Sequence, residues 1–221
     1  MSVFVRALRL LIANPLILVP GLIIGAASGI VAGILAPPPD ASFVQDFALS
    51  MGIAMTQLIA TILAVAYTVG MAQAAWERGT ASLSDGRRAF GRDAGHVTLA
   101  LAGLFVIGLG ASFLANYTFG LSQAAYVFFC IYTIPAAVVG GRNGLHAIGE
   151  SAAIAYRRAL ATLLMVAVLI VTVYAMSIVA GLLATTPLIG PLVAALTVQV
   201  VIAYFSLVVV GEYLALRAPS P

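Results

Sequence analysis

The sequence has no lysine, one cysteine, one tryptophan and two histidines among its 221 residues, and only 8% of it is charged against 63% apolar. Each scarcity excludes something. Soluble domains carry about 25% charged residues, so a globule surrounded by water is excluded. Cys130, alone in an apolar run, supports neither a disulfide framework nor a thiolate metal site. His96 and His146 fall short of a zinc ligand set and lack the facing positions within spans that haem axial ligation needs; both read as polar residues near a membrane surface. Gly140-Gly141-Arg142-Asn143-Gly144 is glycine-rich but has neither the Lys-Ser/Thr nor the preceding strand of a phosphate-binding loop, so it reads as a helix break.

Ionisable groups are missing from the middle of the apolar stretches as well. Asp40 and Asp46 fall in one connection, Glu77, Asp85, Asp93 and Glu150 in others, and Glu212 near the end of the last run. A charge at mid-bilayer is costly and marks function by default, and a proton- or metal-coupled carrier usually shows one. Gly149-Glu150-Ser151-Ala152-Ala153 imitates a serine-hydrolase elbow by letters. That motif needs a strand, a strained turn and acid and His partners, whereas this stretch is helical. No catalytic, metal-binding or cofactor-binding residue is expected.

What the sequence does contain is a set of long apolar runs at 15–36, 50–75, 97–115, 120–140, 159–183 and 192–214. About 20 helical residues cross a hydrocarbon core of roughly 30 Å. The expected fold is therefore all-α: one transmembrane domain over 1–221, six spans, and short interfacial helices. Residues 2–13 put Phe4, Ala7, Leu8 and Leu11 on one side and Arg6 and Arg9 on the other, the pattern of an interfacial helix. No small-residue cleavage site precedes the first long run, so that run is expected to be retained. Asn14-Pro15 reads as an N-cap followed by a first-turn proline, Pro20 as a bend, and Pro37 to Pro39 with Asp40 as a stop. Residues 40–49 read as an outer connection, Trp76 as an interfacial-belt aromatic, and Ser84 as a cap ahead of an Asp85–Arg88 helical pair. Outer turns are expected at 116–118 and 185–191, and a further interfacial helix at 145–158.

Arg6, Arg9, Arg78, Arg87, Arg88, Arg92, Arg142, Arg157, Arg158 and Arg217 all fall on one side of this layout. By the positive-inside rule that side is cytoplasmic, which places both termini inside and the chain in a bacterial cytoplasmic (inner) membrane. Sorted in this way, the net charge of +3 reports topology and not nucleic-acid binding; membrane lipids are the expected partners. An arginine pair precedes each hairpin of spans (Arg6 and Arg9, Arg88 and Arg92, Arg157 and Arg158), which is either a weak threefold repeat or convergence on one topology.

Gly21, Gly25, Gly29 and Gly33 recur every fourth residue in the first span. Each helix-interior glycine costs roughly 0.5–1 kcal/mol in water, but between lipid-embedded helices small residues permit the close approach that drives association. The groove they form receives another helix of the same chain or, alternatively, a second copy or a membrane partner. Tyr67, Tyr132, Tyr174 and Tyr204, with Gln57 and Gln199, sit within spans; they either hydrogen-bond between helices or line a polar path. Arg142, Arg157 and Arg158 stand at headgroup level, setting topology or holding anionic headgroups.

Asn14-Pro15, the apolar span with Pro20, the inner segment after Trp76 and the stretch IYTIPAAVVGGRNGLHAIGESAAIAYRRALATLL together resemble a six-span bacterial inner-membrane family related to the membrane domain fused to some glycerophosphodiester phosphodiesterases. There, a proline near the end of span four precedes a glycine-containing turn and an amphipathic helix with a serine. Pro135, Gly140, Gly141, Gly144 and Ser151 match that outline. The resemblance implies six spans and no catalytic residue, because the phosphodiesterase chemistry belongs to a soluble domain outside this segment. The expected function is a non-enzymatic accessory or scaffolding role through helix packing and anionic-lipid contact, with a permease for a small or lipidic solute as the alternative. In a Cys130→Ser background, Arg88→Cys and Arg157→Cys are expected to react with a membrane-impermeant thiol reagent from the cytoplasmic face alone; labelling from the periplasm would invert the topology.

Overall fold

A computed structural model describes residues 2–34, 43–92, 94–115, 117–183 and 189–217, and among them there are helices and turns but no strand. The proline stop at Pro37 to Pro39 with Asp40, together with Asp93, Asn116 and 184–188 of the last outer turn, lies outside the described residues, as do the side chain of Gln57 and the surroundings of Gly29 and Gly33. The helices are α1 (Val3–Ala13), α2 (Val19–Ile34), α3 (Phe43–Arg78), α4 (Leu83–Arg92), α5 (Ala94–Ala115), α6 (Leu121–Cys130), α7 (Thr133–Val138), α8 (Gly144–Arg157), α9 (Ala159–Leu183) and α10 (Ile189–Arg217). Five stretches among them are long and apolar enough to cross a membrane: Ile59–Arg78, Ala94–Ala115, Leu121–Val138, Ala159–Met176 and Ala195–Arg217. A sixth is counted if α1 and Pro15–Ser28, bent by 95° from each other, are taken as one span.

The bend follows from Asn14-Pro15, though not through an N-cap. Pro15 opens a 3-10 turn, Pro15–Leu18, and the Asn14 side chain makes no capping bond to it. Instead Asn14 Nδ2 donates to the carbonyls of Leu10 (3.0 Å) and Gly79 (3.1 Å), while its Oδ1 accepts from the Ala81 amide at 2.9 Å. A buried amide with three such bonds ties the end of α1 to the α3–α4 connection. A cap would have served local backbone only; here the side chain satisfies groups far away in sequence.

α10 is the central helix, packing against α2, α9, α3 and α1. It fills the glycine groove of α2 at Gly21 and Gly25. A methyl added at Gly25 would lie 2.9 Å from Gln199 Cγ and 3.1 Å from the Ala195 carbonyl oxygen, and one at Gly21 would lie 3.2 Å from Gln199 Cβ. At these two glycines the occupant is therefore a helix of the same chain. α10 also receives Trp76, which is half-buried. Its Nε1 donates to the Leu207 carbonyl at 2.8 Å, its ring lies where a Gly211 side chain would be, and the Arg6 guanidinium sits 4.5 Å above it.

α3 has 36 residues, about 54 Å at the helical rise, against a hydrocarbon core of roughly 30 Å. It starts at Phe43, so most of the connection expected over 40–49 is helical. Its last turns carry α4. Gly70 meets Ala89, Gly86 lies on the Tyr67 ring, and Tyr67 Oη donates to the Leu83 carbonyl at 2.7 Å. Asp85 pairs with Arg78 at 2.7 Å, not with Arg88, and also accepts from the Ser82 amide at 2.9 Å. Ser84 caps nothing; its hydroxyl meets that of Ser82 at 2.8 Å.

The fourth run, expected as one helix over 120–140, is broken between α6 and α7 at Ile131 and Tyr132. Pro135 has no amide hydrogen and cannot donate to the carbonyl four residues back. Ser151 of α8 fills the break: it accepts from the Tyr132 amide at 3.0 Å and donates to the Phe129 carbonyl at 2.7 Å. With α1 on Trp76, α4 on the end of α3 and α8 on the end of α10, the arginine-bearing helices gather at one end of the bundle. Gly211→Ala is expected to drive the Trp76 ring off α10 and cost about 1–3 kcal/mol, whereas Gly110→Ala, with open space around it, should be neutral or stabilising by up to about 1 kcal/mol. Thermal unfolding in detergent checks both; equal midpoints would refute the ring contact.

Candidate anion-binding site at the arginine-bearing end

α8 is set in place by the glycines before it. Gly141 has φ +61°, in the left-handed region that glycine enters freely, and a side chain at Gly140 would collide with the Ala136 carbonyl and the Tyr213 hydroxyl. The turn releases Arg142, and α8 starts at Gly144, where a side chain would strike Leu99 of α5. From there Gly144, Ala147, Ser151 and Ala155 form the buried stripe. His146, Glu150, Ala153 and Arg157 follow the same three- and four-residue spacing on a neighbouring stripe and face a cavity of about 750 Å³. Arg142 from the turn, Arg158 from the α8–α9 joint, and Leu216 and Arg217 from α10 complete the lining.

Glu150 anchors this wall. Its Oε2 accepts from Arg142 Nε at 2.5 Å and its Oε1 from the hydroxyl of fully buried Tyr213 at 2.8 Å. The Arg217 guanidinium lies 5.4 Å over the same tyrosine ring. Four arginines against one carboxylate leave a surplus of three positive charges among these five residues. The electrostatic field in such a concave site favours an anion.

The three arginines singled out as headgroup contacts, Arg142, Arg157 and Arg158, thus line one cavity. Sequence reasoning missed that His146, Glu150 and Arg217 join them. The stripe spacing of α8 was visible, but nothing local brings Arg217 to it. The tyrosines are not brought together. Tyr67 bonds α4, Tyr204 Oη donates to the Phe4 carbonyl at 3.3 Å, Tyr132 Oη meets Thr162 Oγ1 at 3.3 Å, and Tyr174 is 70% exposed on α9. Gln199 lies against Gly21 and Gly25, with its Oε1 buried and unpartnered among the described residues. The four tyrosines therefore hydrogen-bond or face outward separately and share no polar path.

Ser151 is fully buried in α8 with its hydroxyl committed to the α6–α7 break, so it has no geometry for nucleophilic attack. Among the described residues no three His, Cys, Asp or Glu side chains could hold a metal ion together. An apolar crevice of about 170 Å³ is lined by Val65, Val69, Pro135, Leu169 and Phe205 among others. A second basic surface lies on α4, with Arg87, Arg88 and Arg92. No known protein family, curated protein or solved structure matches this chain.

At the root of α4, hydrogen bonds from Arg78 and then Ser82 hold the Asp85 carboxyl down at about 2. A depressed carboxyl value means that the folded state binds the proton more weakly than the unfolded one. The stabilisation is complete above the ordinary value near 3.9 and is lost as pH falls toward about 2. After correction for the intrinsic slowing of exchange in acid, the protection factors of the 83–92 amides should accordingly fall on acidification from pH ~5 to ~2, and Asp85→Asn should flatten that response. An unchanged response in the variant would assign the acid sensitivity elsewhere.

Proposed function

We propose that this chain is a six-span protein of a bacterial cytoplasmic membrane, with both termini and its arginines on the cytoplasmic side. In this reading it acts without catalysis, as an accessory or scaffolding component that packs helices and holds anionic lipid headgroups. The observation that carries the reading is the cavity of Arg142, Arg157, Arg158 and Arg217, placed where charge gives way to lipid-compatible surface. α9 begins directly after Arg158 with no charged residue along its length, and Leu160 is 74% exposed. Basic pockets at that level attract anionic headgroups.

Kinship with the six-span family is part of the proposal, supported by Pro135 at the broken span, the Gly140–Gly141 turn and Ser151 on an amphipathic α8. At Gly21 and Gly25 the glycine groove is taken by α10, so association with a partner or a second copy does not use those two positions. A second reading, a permease for a small or lipidic solute, draws on the discontinuous α6–α7 span, since broken helices line many carrier sites. The filling of that break by Ser151 favours the first.

Lipid retained after gentle detergent extraction tests the proposal. The variant Arg142→Gln/Arg157→Gln/Arg158→Gln should lose most co-purifying anionic lipid, while Arg87→Gln/Arg88→Gln on α4 keeps it. Equal retention by both variants, each with wild-type helicity, would remove the cavity from the account.

A further inference from the structure

The cavity at the arginine-bearing end says more than that an anion enters it. Its cations come from separate parts of the chain: Arg142 from a turn, Arg157 and Arg158 from the α8–α9 joint, and Arg217 from the last turn of α10. The Glu150 bond uses only Nε of Arg142, and a guanidinium carries four further N–H donors on its Nη atoms. Arg142 is therefore committed to the wall and still able to donate into the cavity. The volume, about 750 Å³, belongs to the upper part of the range for organic ligands and far exceeds what one phosphate occupies.

Charge sets the stoichiometry. The lining has a surplus of three positive charges, and counting Glu212, the neighbour of Tyr213 on α10, still leaves two. A single phosphodiester carries one negative charge and would leave guanidinium groups on the facing wall uncompensated. A group with two phosphates matches the surplus that remains when Glu212 is counted. Resting on the lipid-holding reading above, we infer that the cavity recognises a paired-phosphate headgroup, either two phosphodiesters in one lipid or a diphosphate. Its apolar part lies against the exposed start of α9 at Leu160, Leu163 and Leu164. Arg158, from the α8–α9 joint, and Arg217, from the end of α10, supply the discrimination between one phosphate and two.

The test uses the full chain in nanodiscs of neutral lipid doped either with cardiolipin or with phosphatidylglycerol at equal total charge, with bound lipid read by native mass spectrometry. Cardiolipin should bind about tenfold more tightly or better, the scale of one charge-assisted contact. Arg158→Gln and Arg217→Gln should each erase that preference, and Arg87→Gln should leave it intact. Equal affinity for the two lipids overturns the paired-phosphate inference while sparing the lipid-holding reading; binding of neither overturns both. Loss of preference in Arg87→Gln would reduce the effect to general surface charge and overturn the inference. A soluble arm adds inorganic pyrophosphate or orthophosphate in detergent. Displacement of cardiolipin by pyrophosphate alone supports the pairing and admits a soluble diphosphate as ligand. No displacement by either, with the preference intact, supports the pairing and assigns it to lipid. Equal displacement by both overturns it.

Discussion

Backbone amides and carbonyls have no water to bond in a hydrocarbon layer, and each one left unsatisfied costs several kcal/mol. That requirement accounts for the helical character of most of the described residues and for the specific chemistry at the places where a helix stops. At the α6–α7 break, a serine from another helix supplies both an acceptor and a donor. At the α1–α2 bend, an asparagine side chain does the same for Leu10, Gly79 and Ala81. Ser151 serves no local turn, and two of the three Asn14 bonds, to Gly79 and Ala81, reach far along the chain. Each repairs a discontinuity and, by doing so, fixes how two distant segments sit together.

Close approach is the second consequence. With little hydrophobic drive between helices in lipid, attraction depends on how near the backbones come. The chain places a glycine where a large side chain must lie flush: Gly25 beneath Gln199, Gly86 beneath Tyr67, Gly211 beneath Trp76. These contacts bind α2, α3, α4 and α10 into one unit. α5 and α9 present more exposed apolar surface, with Val106, Phe113, Val171 and Leu182 facing outward. The same unit positions the arginine end, because Tyr213, on the helix that receives Trp76, holds Glu150 and through it Arg142. A cavity lined mostly by guanidinium groups is self-repelling unless something ties its walls. Glu150 provides that tie for Arg142, and the face of the Tyr213 ring provides it for Arg217.

Helical class, membrane-compatible runs, the bunching of arginine and the stripe of Gly21 and Gly25 were determined by the amino-acid sequence itself, since composition and three- or four-residue periodicity are local properties. The grouping of Arg142, Arg157 and Arg158 was legible for the same reason: they lie within 17 residues of one another. Only the tertiary structure decided that Asp85 answers Arg78 instead of Arg88, that Trp76 turns inward to Leu207, that Ser151 closes a break in another helix, and that Arg217 completes the cavity. In each case two or more side chains could satisfy the same local rule. The choice among them depends on which distant backbone comes within about 3 Å, the reach of a hydrogen bond, and no periodicity along the chain encodes that distance.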